Sequence, residues 1–176
     1  MDGSIPGMIL AAGRGERMRP LTDQTPKPLL TVKGKCLLDW HLDNMLEAGF
    51  ERVVVNHAWL GDQIKAHIQN LGRPNNLVTS PETQALETAG GIKQAEKLLE
   101  IDDYFFVING DIFCPTFEFS NIAPLASRLR NMKSQILAYL YLVENPPHNS
   151  QGDFGLKDGH VTHKEDATSS LTFSGI

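Results

Sequence analysis

The chain has 176 residues, 41% hydrophobic and 21% charged, the balance of an ordinary soluble globular domain able to bury a sizeable core. Its formal charge of −5 argues against a general nucleic-acid or anionic-membrane binder, so any phosphate site must be a local basic feature on an acidic body. Such a feature exists at residues 14–27, where Arg14, Arg17, Arg19 and Lys27 face only Glu16 and Asp23. The longest apolar runs, such as Ile136–Val143, are far shorter than a membrane span, and no basic-plus-apolar signal opens the chain. Cys36 and Cys114 stand far apart in sequence and in no metal-spaced cluster, which points to packing roles and a reducing compartment. A cytoplasmic protein is expected. Met1–Gly7 is short and featureless and reads as a native leader or an expression scar, with a single domain beginning at Met8.

Met8–Ala12 is a short apolar run with glycines on both sides, as expected of a buried strand. Residues 13–35 form a loop, since Pro20, Pro26, Pro28 and Gly34 exclude a long helix. Leu37, Leu38, Leu42, Met45 and Leu46 recur at helical spacing, with Gly49 as a C-terminal stop. Arg52–Asn56 predicts a strand, Leu60–Leu71 a helix, Gly72–Asn76 a loop, Leu77–Thr79 a strand and Thr88–Leu99 a helix. Tyr104–Asn109 is the strongest buried-strand pattern in the chain. This alternation favours an α/β layered fold with a largely parallel sheet. Beyond it the sequence predicts a helix at Asn121–Lys133 and a strand at Gln135–Val143. A hairpin follows, in which Phe154–Leu156 and Val161–His163 flank an Asp158-Gly159 turn suited to type I′.

Three constellations carry chemistry. The segment Leu10–Pro20 places Gly13 and Gly15 after a strand, where backbone N–H groups can face anionic oxygens. It lacks the third glycine of a dinucleotide fingerprint and the Gly-Lys-Ser/Thr of a P-loop. It therefore reads either as a triphosphate cradle with interleaved arginines or as a tight turn with solvated ones. In Thr25-Pro26-Lys27-Pro28, two prolines stiffen the backbone around one ammonium group, which is either a fixed cation beside the loop or an exposed lysine. In Asn109-Gly110-Asp111, a carboxylate ends a buried strand; it suits Mg²⁺, or closes an Asx turn. His57 reads as structural, His148, His160 and His163 as solvated, and Trp40 and Trp59 as core or interface residues rather than base-stacking ones.

Taken together, residues 8–22, Pro26-Lys27-Pro28-Leu29, Glu87-Thr88-Ala89-Gly90-Gly91 and Asn109-Gly110-Asp111 resemble the sugar-nucleotidyltransferase family in order and spacing. The resemblance covers the chain from residue 8 onward. It implies a three-layer α/β/α Rossmann-like nucleotidyltransferase fold with a mixed, mostly parallel sheet. The stretches Asn56–Gly61, Asn145–Phe154 and Leu171–Ile176 resemble the uridylyltransferase branch that serves peptidoglycan recycling. That branch implies UTP as donor, N-acetylmuramate 1-phosphate as acceptor, UDP-N-acetylmuramate and pyrophosphate as products, and Mg²⁺ as cofactor. Other hexose 1-phosphate nucleotidyltransferases, of the mannose 1-phosphate guanylyl or glucose 1-phosphate thymidylyl or uridylyl type, remain alternatives, as does a nucleotide-binding module without catalysis.

Carried over by motif, Ala11, Ala12 and Gly13 would face the nucleoside, while Gly15, Glu16 and Arg17 would line the triphosphate. Arg17 and Lys27 would be catalytic through charge neutralisation. Glu82, Gln84, Glu87, Thr88, Ala89 and Gly90 would bound the nucleoside pocket. Asn109, Gly152, Asp153 and Glu165 would contact the sugar, and Asp111 would bind the metal. The resemblance also implies a second metal-binding aspartate and a C-terminal helix beyond Ile176, so a truncated domain is expected.

Overall fold

The computed structural model describes residues 5–72, 76–131 and 136–176, which divide after residue 134 into two compact units. In chain order the first contains β1 (Gly7–Leu10), a single helical turn α1 (Leu21–Gln24), the small hairpin β2 (Thr31–Val32) and β3 (Lys35–Cys36), and α2 (Leu37–Glu47). There follow β4 (Val53–His57), α3 (Gly61–Asn70), β5 (Leu77–Pro81), α4 (Glu87–Leu99), β6 (Phe106–Asn109) and α5 (Ile122–Asn131). The sheet runs β5-β4-β1-β6 and every neighbouring pair is parallel.

Strands buried on both faces need helices on both faces, and the packing supplies them. Met8 and Val54 point to one side, where Ala95 and Leu99 of α4 complete a buried cluster. On the other side, a β-carbon on Gly7 would lie 2.2 Å from the Met45 side chain of α2, so only a hydrogen fits there. The layers are thus helix, sheet and helix. Residues 5–7, expected to lie outside the domain, belong to it: Ile5 is buried, Gly7 begins β1, and the Pro6 carbonyl accepts the Phe106 N–H at 2.9 Å.

The second unit is an antiparallel sheet of β7 (Leu142–Val143), β8 (Phe154–Lys157), β9 (His160–Thr162) and β10 (Ser169–Phe173), ordered β7-β10-β8-β9. Asp158 and Gly159 both take positive φ, 51° and 77°, as the type I′ turn requires. The mixed sheet expected from the sequence is therefore realised as a parallel sheet in one unit and an antiparallel one in the other. Helical crossovers in the first unit return the chain in the same direction, whereas a two-residue turn reverses it.

Two of the expected strands change in extent. The strand expected at Met8–Ala12 stops at Leu10, which frees residues 11–13 as a loop. The strand expected at Gln135–Val143 shrinks to Leu142–Val143: Gln135 lies outside the described residues, and Leu137 is 98% exposed. An apolar run becomes a strand only where a neighbour offers its backbone, and here the first such neighbour is β10. The helix expected to reach Lys133 is described to Asn131, while Met132 and Lys133, like Arg73–Asn75 of the Gly72–Asn76 loop, lie outside the described residues. Among the described residues no helix is long and apolar enough to cross a membrane.

Candidate active site

The parallel register brings Leu10, Asn56 and Asn109 abreast at the C-terminal ends of β1, β4 and β6. Ligands of open α/β sheets bind at this edge. The loop leaving β1 is anchored there by a buried polar chain. Ala11 N–H donates to Asn56 Oδ1 at 2.7 Å, and Asn56 Nδ2 donates to Glu82 Oε1 at 2.7 Å. Glu82 Oε2 accepts the Leu86 N–H at 2.9 Å, so one carboxylate ties the β1 loop to the approach of α4. Gly91 lets α4 lie against this pair; a β-carbon there would come within 2.7 Å of Asn56 Nδ2 and 2.9 Å of Glu82 Oε1.

Gly15 turns the loop with a φ of 66°, and its carbonyl accepts the Thr22 hydroxyl at 2.9 Å. The arginines of the loop then separate by role. Arg14 is held by its neighbours rather than solvated: its guanidinium lies 3.7 Å from the centre of the Trp59 ring, donates to the Thr22 carbonyl and pairs with Asp23 at 2.6 Å. The hydrogen bond from Arg14, with the charge of Arg19, holds the Asp23 carboxyl below the usual carboxylate range. Arg19 pairs with the same Asp23 at 3.2 Å. Trp59 also donates its indole N–H to Thr22. Arg17 stays exposed on the Glu16–Met18 turn.

Buried Pro26 and Pro28 bracket Lys27, whose Nζ reaches Asp111 Oδ2 at 2.6 Å. This joins two of the three constellations across the mouth of one cleft. The cleft is open to solvent along one side. Ala11, Ala12, Gly13 and Gly15 line it, opposite Glu87 and Thr88 at the start of α4. Asn109, Lys27 and Asp111 also line it. Glu87 enters the helix with a φ of 59°, a left-handed conformation that non-glycine residues adopt only at some cost.

Other expected residues fall elsewhere. Glu82 is buried and spends both oxygens on the network, so it shapes the pocket from behind. Glu16, Arg17, Gln84, Ala89 and Gly90 flank the cleft elements without lining the cleft. Gly152, Asp153 and Glu165 belong to the second unit. Gly152 takes a φ of 63° where a side chain would meet Leu171 and Asn145. Asp153 accepts the Phe173 N–H and the Asn149 amide, both at 2.9 Å, and these bonds hold its carboxyl below the usual range. Glu165 is exposed on the Lys164–Asp166 turn. Asn56 lies outside the residues carried over by motif, and its sequence signal is an amide within the valine-rich strand Val-Val-Val-Asn-His.

Residues 6–158 match the nucleotidyl transferase family, and the chain belongs to that family. It is 51% identical over 172 residues to the N-acetylmuramate alpha-1-phosphate uridylyltransferase of Neisseria meningitidis serogroup B, covering 96% of this chain and 72% of that protein. It is 45% identical over 96 residues to the protein of the same name from Caulobacter vibrioides, covering 52% of this chain and 40% of that one. A crystal structure assigned as a glucose-1-phosphate thymidylyltransferase from Bacillus anthracis superposes with a TM-score of 0.74 at 21% identity, over 98% of this chain and 70% of that one. That likeness establishes the fold.

Proposed function

We propose that this chain transfers UMP from UTP to N-acetylmuramate 1-phosphate, releasing pyrophosphate and forming UDP-N-acetylmuramate for peptidoglycan recycling. The observation that carries the reading is the 51% identity, along 96% of the chain, to an enzyme named for that reaction. The cleft supports it: a glycine loop, a lysine and a carboxylate meet where a triphosphate and a sugar phosphate must be brought together. A phosphate oxygen of the acceptor attacks the α-phosphorus of UTP in line, and the bond to the β-phosphate oxygen breaks. The acceptor is already an anionic nucleophile, so no protein nucleophile is needed. Catalysis is positioning plus charge neutralisation.

In this reading the backbone of residues 11–13 and the Glu87-Thr88 wall hold the nucleoside, and Asn109 meets the ribose or sugar. Lys27, fixed by its prolines, offsets charge on the phosphates, with Arg17 free to swing over the loop. An exposed carboxylate with one oxygen on Lys27 suits Mg²⁺, which takes one or two carboxylates and completes its shell with phosphate oxygens and water. Asp111 would hold that ion, whose chemistry is to neutralise the donor phosphates. Gly152, Asp153 and Glu165 remain the acceptor-side candidates. Two free thiols, Cys36 and Cys114, and a nucleoside triphosphate donor support a reducing, cytoplasmic setting.

Pyrophosphate release tests the reading, with UTP, GTP and dTTP each paired with N-acetylmuramate, mannose and glucose 1-phosphates. Release is expected to be fastest by at least tenfold for UTP with N-acetylmuramate 1-phosphate. Preference for GTP with mannose 1-phosphate would move the assignment to a guanylyltransferase. UTP binding by calorimetry with no release from any pair would favour a binding module.

A further inference from the structure

A second cluster of ligating side chains lies apart from the cleft, where α2 begins. Cys36 ends β3 and caps α2, Asp39 sits in the first turn of α2, and His67 projects from α3. The Cys36 sulfur, a carboxylate oxygen of Asp39 and His67 Nε2 all lie within 4.8 Å of one another. Sulfur and imidazole nitrogen are 3.8 Å apart, and nitrogen and carboxylate oxygen 2.7 Å. None of the three lines the nucleotide cleft.

We propose that Cys36, Asp39 and His67 bind one divalent ion of the zinc class, with solvent as the fourth ligand. A tetrahedral zinc, with Zn–S of about 2.3 Å and Zn–N of about 2.0 Å, places those two atoms about 3.5 Å apart. The observed 3.8 Å is within easy reach of that value. The shorter nitrogen–oxygen contact is a hydrogen bond that the ion replaces, and a small side-chain rotation opens it. A thiolate, an imidazole and a carboxylate form a borderline-soft donor set that selects zinc over magnesium, so this site and Asp111 sort two metals by chemistry. His67 and Asp39 keep 29% and 21% of their side-chain surface exposed, which gives an ion a path in from solvent.

Without metal, burial and the neighbouring Asp39 push the Cys36 thiol up to about 12, so the sulfur is protonated at neutral pH. Binding therefore exchanges the thiol proton for the metal, with the proton released to solvent. The bound ion carries two positive charges against one thiolate and one carboxylate, leaving the site neutral. Its effect is to clasp the start of α2 to α3. The hairpin leading into α2 follows directly on the Lys27 loop, and the Leu37 N–H donates to the Leu30 carbonyl at 3.1 Å.

The test uses the whole chain in excess Mg²⁺, titrated with Zn²⁺ against a chromophoric chelator and with Co²⁺ in the spectrophotometer. We expect one equivalent of Zn²⁺ at micromolar affinity or better, a sulfur-to-cobalt charge-transfer band, and a higher melting temperature with Zn²⁺. Cys36→Ser should abolish the band, and His67→Gln should weaken Zn²⁺ binding at least tenfold, while Cys114→Ser changes neither. If Cys36→Ser fails to fold, Asp39→Asn and His67→Gln carry the test through the intensity and position of the cobalt band. No stoichiometric Zn²⁺ binding would overturn the proposal. So would a cobalt–thiolate band that survives these substitutions or is lost in Cys114→Ser.

Discussion

At the scale of single residues, the loop after β1 sorts three basic side chains that look equivalent in sequence. Arg14 and Arg19 converge on Asp23, and Arg14 also stacks on Trp59, so both fold the loop. Lys27 instead faces Asp111 in the cleft. Replacing Lys27 by Ala should lower turnover by about 10²–10³-fold, the usual cost of removing a fixed group that stabilises developing charge. Because the Lys27–Asp111 pair is partly exposed, folding stability should fall by no more than about 1 kcal/mol. Steady-state kinetics beside urea denaturation checks both parts, and near-normal turnover would end the catalytic assignment. The difference between Arg14 and Lys27 was not legible in the sequence. It depends on Trp59 and Asp111, which reach the loop from 45 and 84 positions away.

At the scale of elements, the cleft depends on how closely α4 approaches the end of β4. Gly91 permits that approach over the Asn56–Glu82 pair. On an exposed helix, Gly→Ala stabilises by about 1 kcal/mol, through propensity alone. At position 91 the sign should reverse. The added methyl must displace two buried polar atoms, and such overpacking costs about 1–3 kcal/mol. Gly91→Ala should therefore lower the urea midpoint and, by loosening the bond that holds Ala11 N–H, raise KM for UTP. A higher midpoint with unchanged KM would show that α4 yields easily and that the network does not hold the loop. The Glu-Thr-Ala-Gly-Gly string was legible as a motif, but the packing duty of its last glycine was not, because the groups it accommodates sit on other elements.

For the whole molecule, buried histidines set the acid side of stability. His41 is 1% exposed beneath the sheet, with Nε2 3.0 Å from the Ile112 carbonyl, and His57 is 5% exposed at the end of β4. His57 Nε2 has no hydrogen-bond partner among the described residues. Burial lowers both pKa values below 6.5, more than the nearby acidic groups raise them. The unfolded chain therefore takes up protons first. Stability is fully present above the unfolded value and is lost progressively as pH falls below about 6.5. The melting temperature should drop steadily between pH 7 and pH 5, and His57→Gln should flatten that slope. A flat profile in the native protein over this range would contradict the burial argument.

The order of the longer strands and helices, the Asp-Gly hairpin, the glycine loop and the family itself were all determined by the sequence. Each depends on local periodicity, on a backbone conformation that few residues allow, or on a string of neighbours. Tertiary structure alone decided which arginine folds the loop, that the longer strands divide between a parallel and an antiparallel sheet, and that Asn56 and Glu82 brace the cleft from behind. It also decided that Cys36, distant from every other cysteine, has Asp39 and His67 as its neighbours. The physical reason is the same in each case. Side-chain hydrogen bonds, ion pairs and ligand clusters act over 3–4 Å in space, and the separation of their partners along the chain leaves no periodic trace.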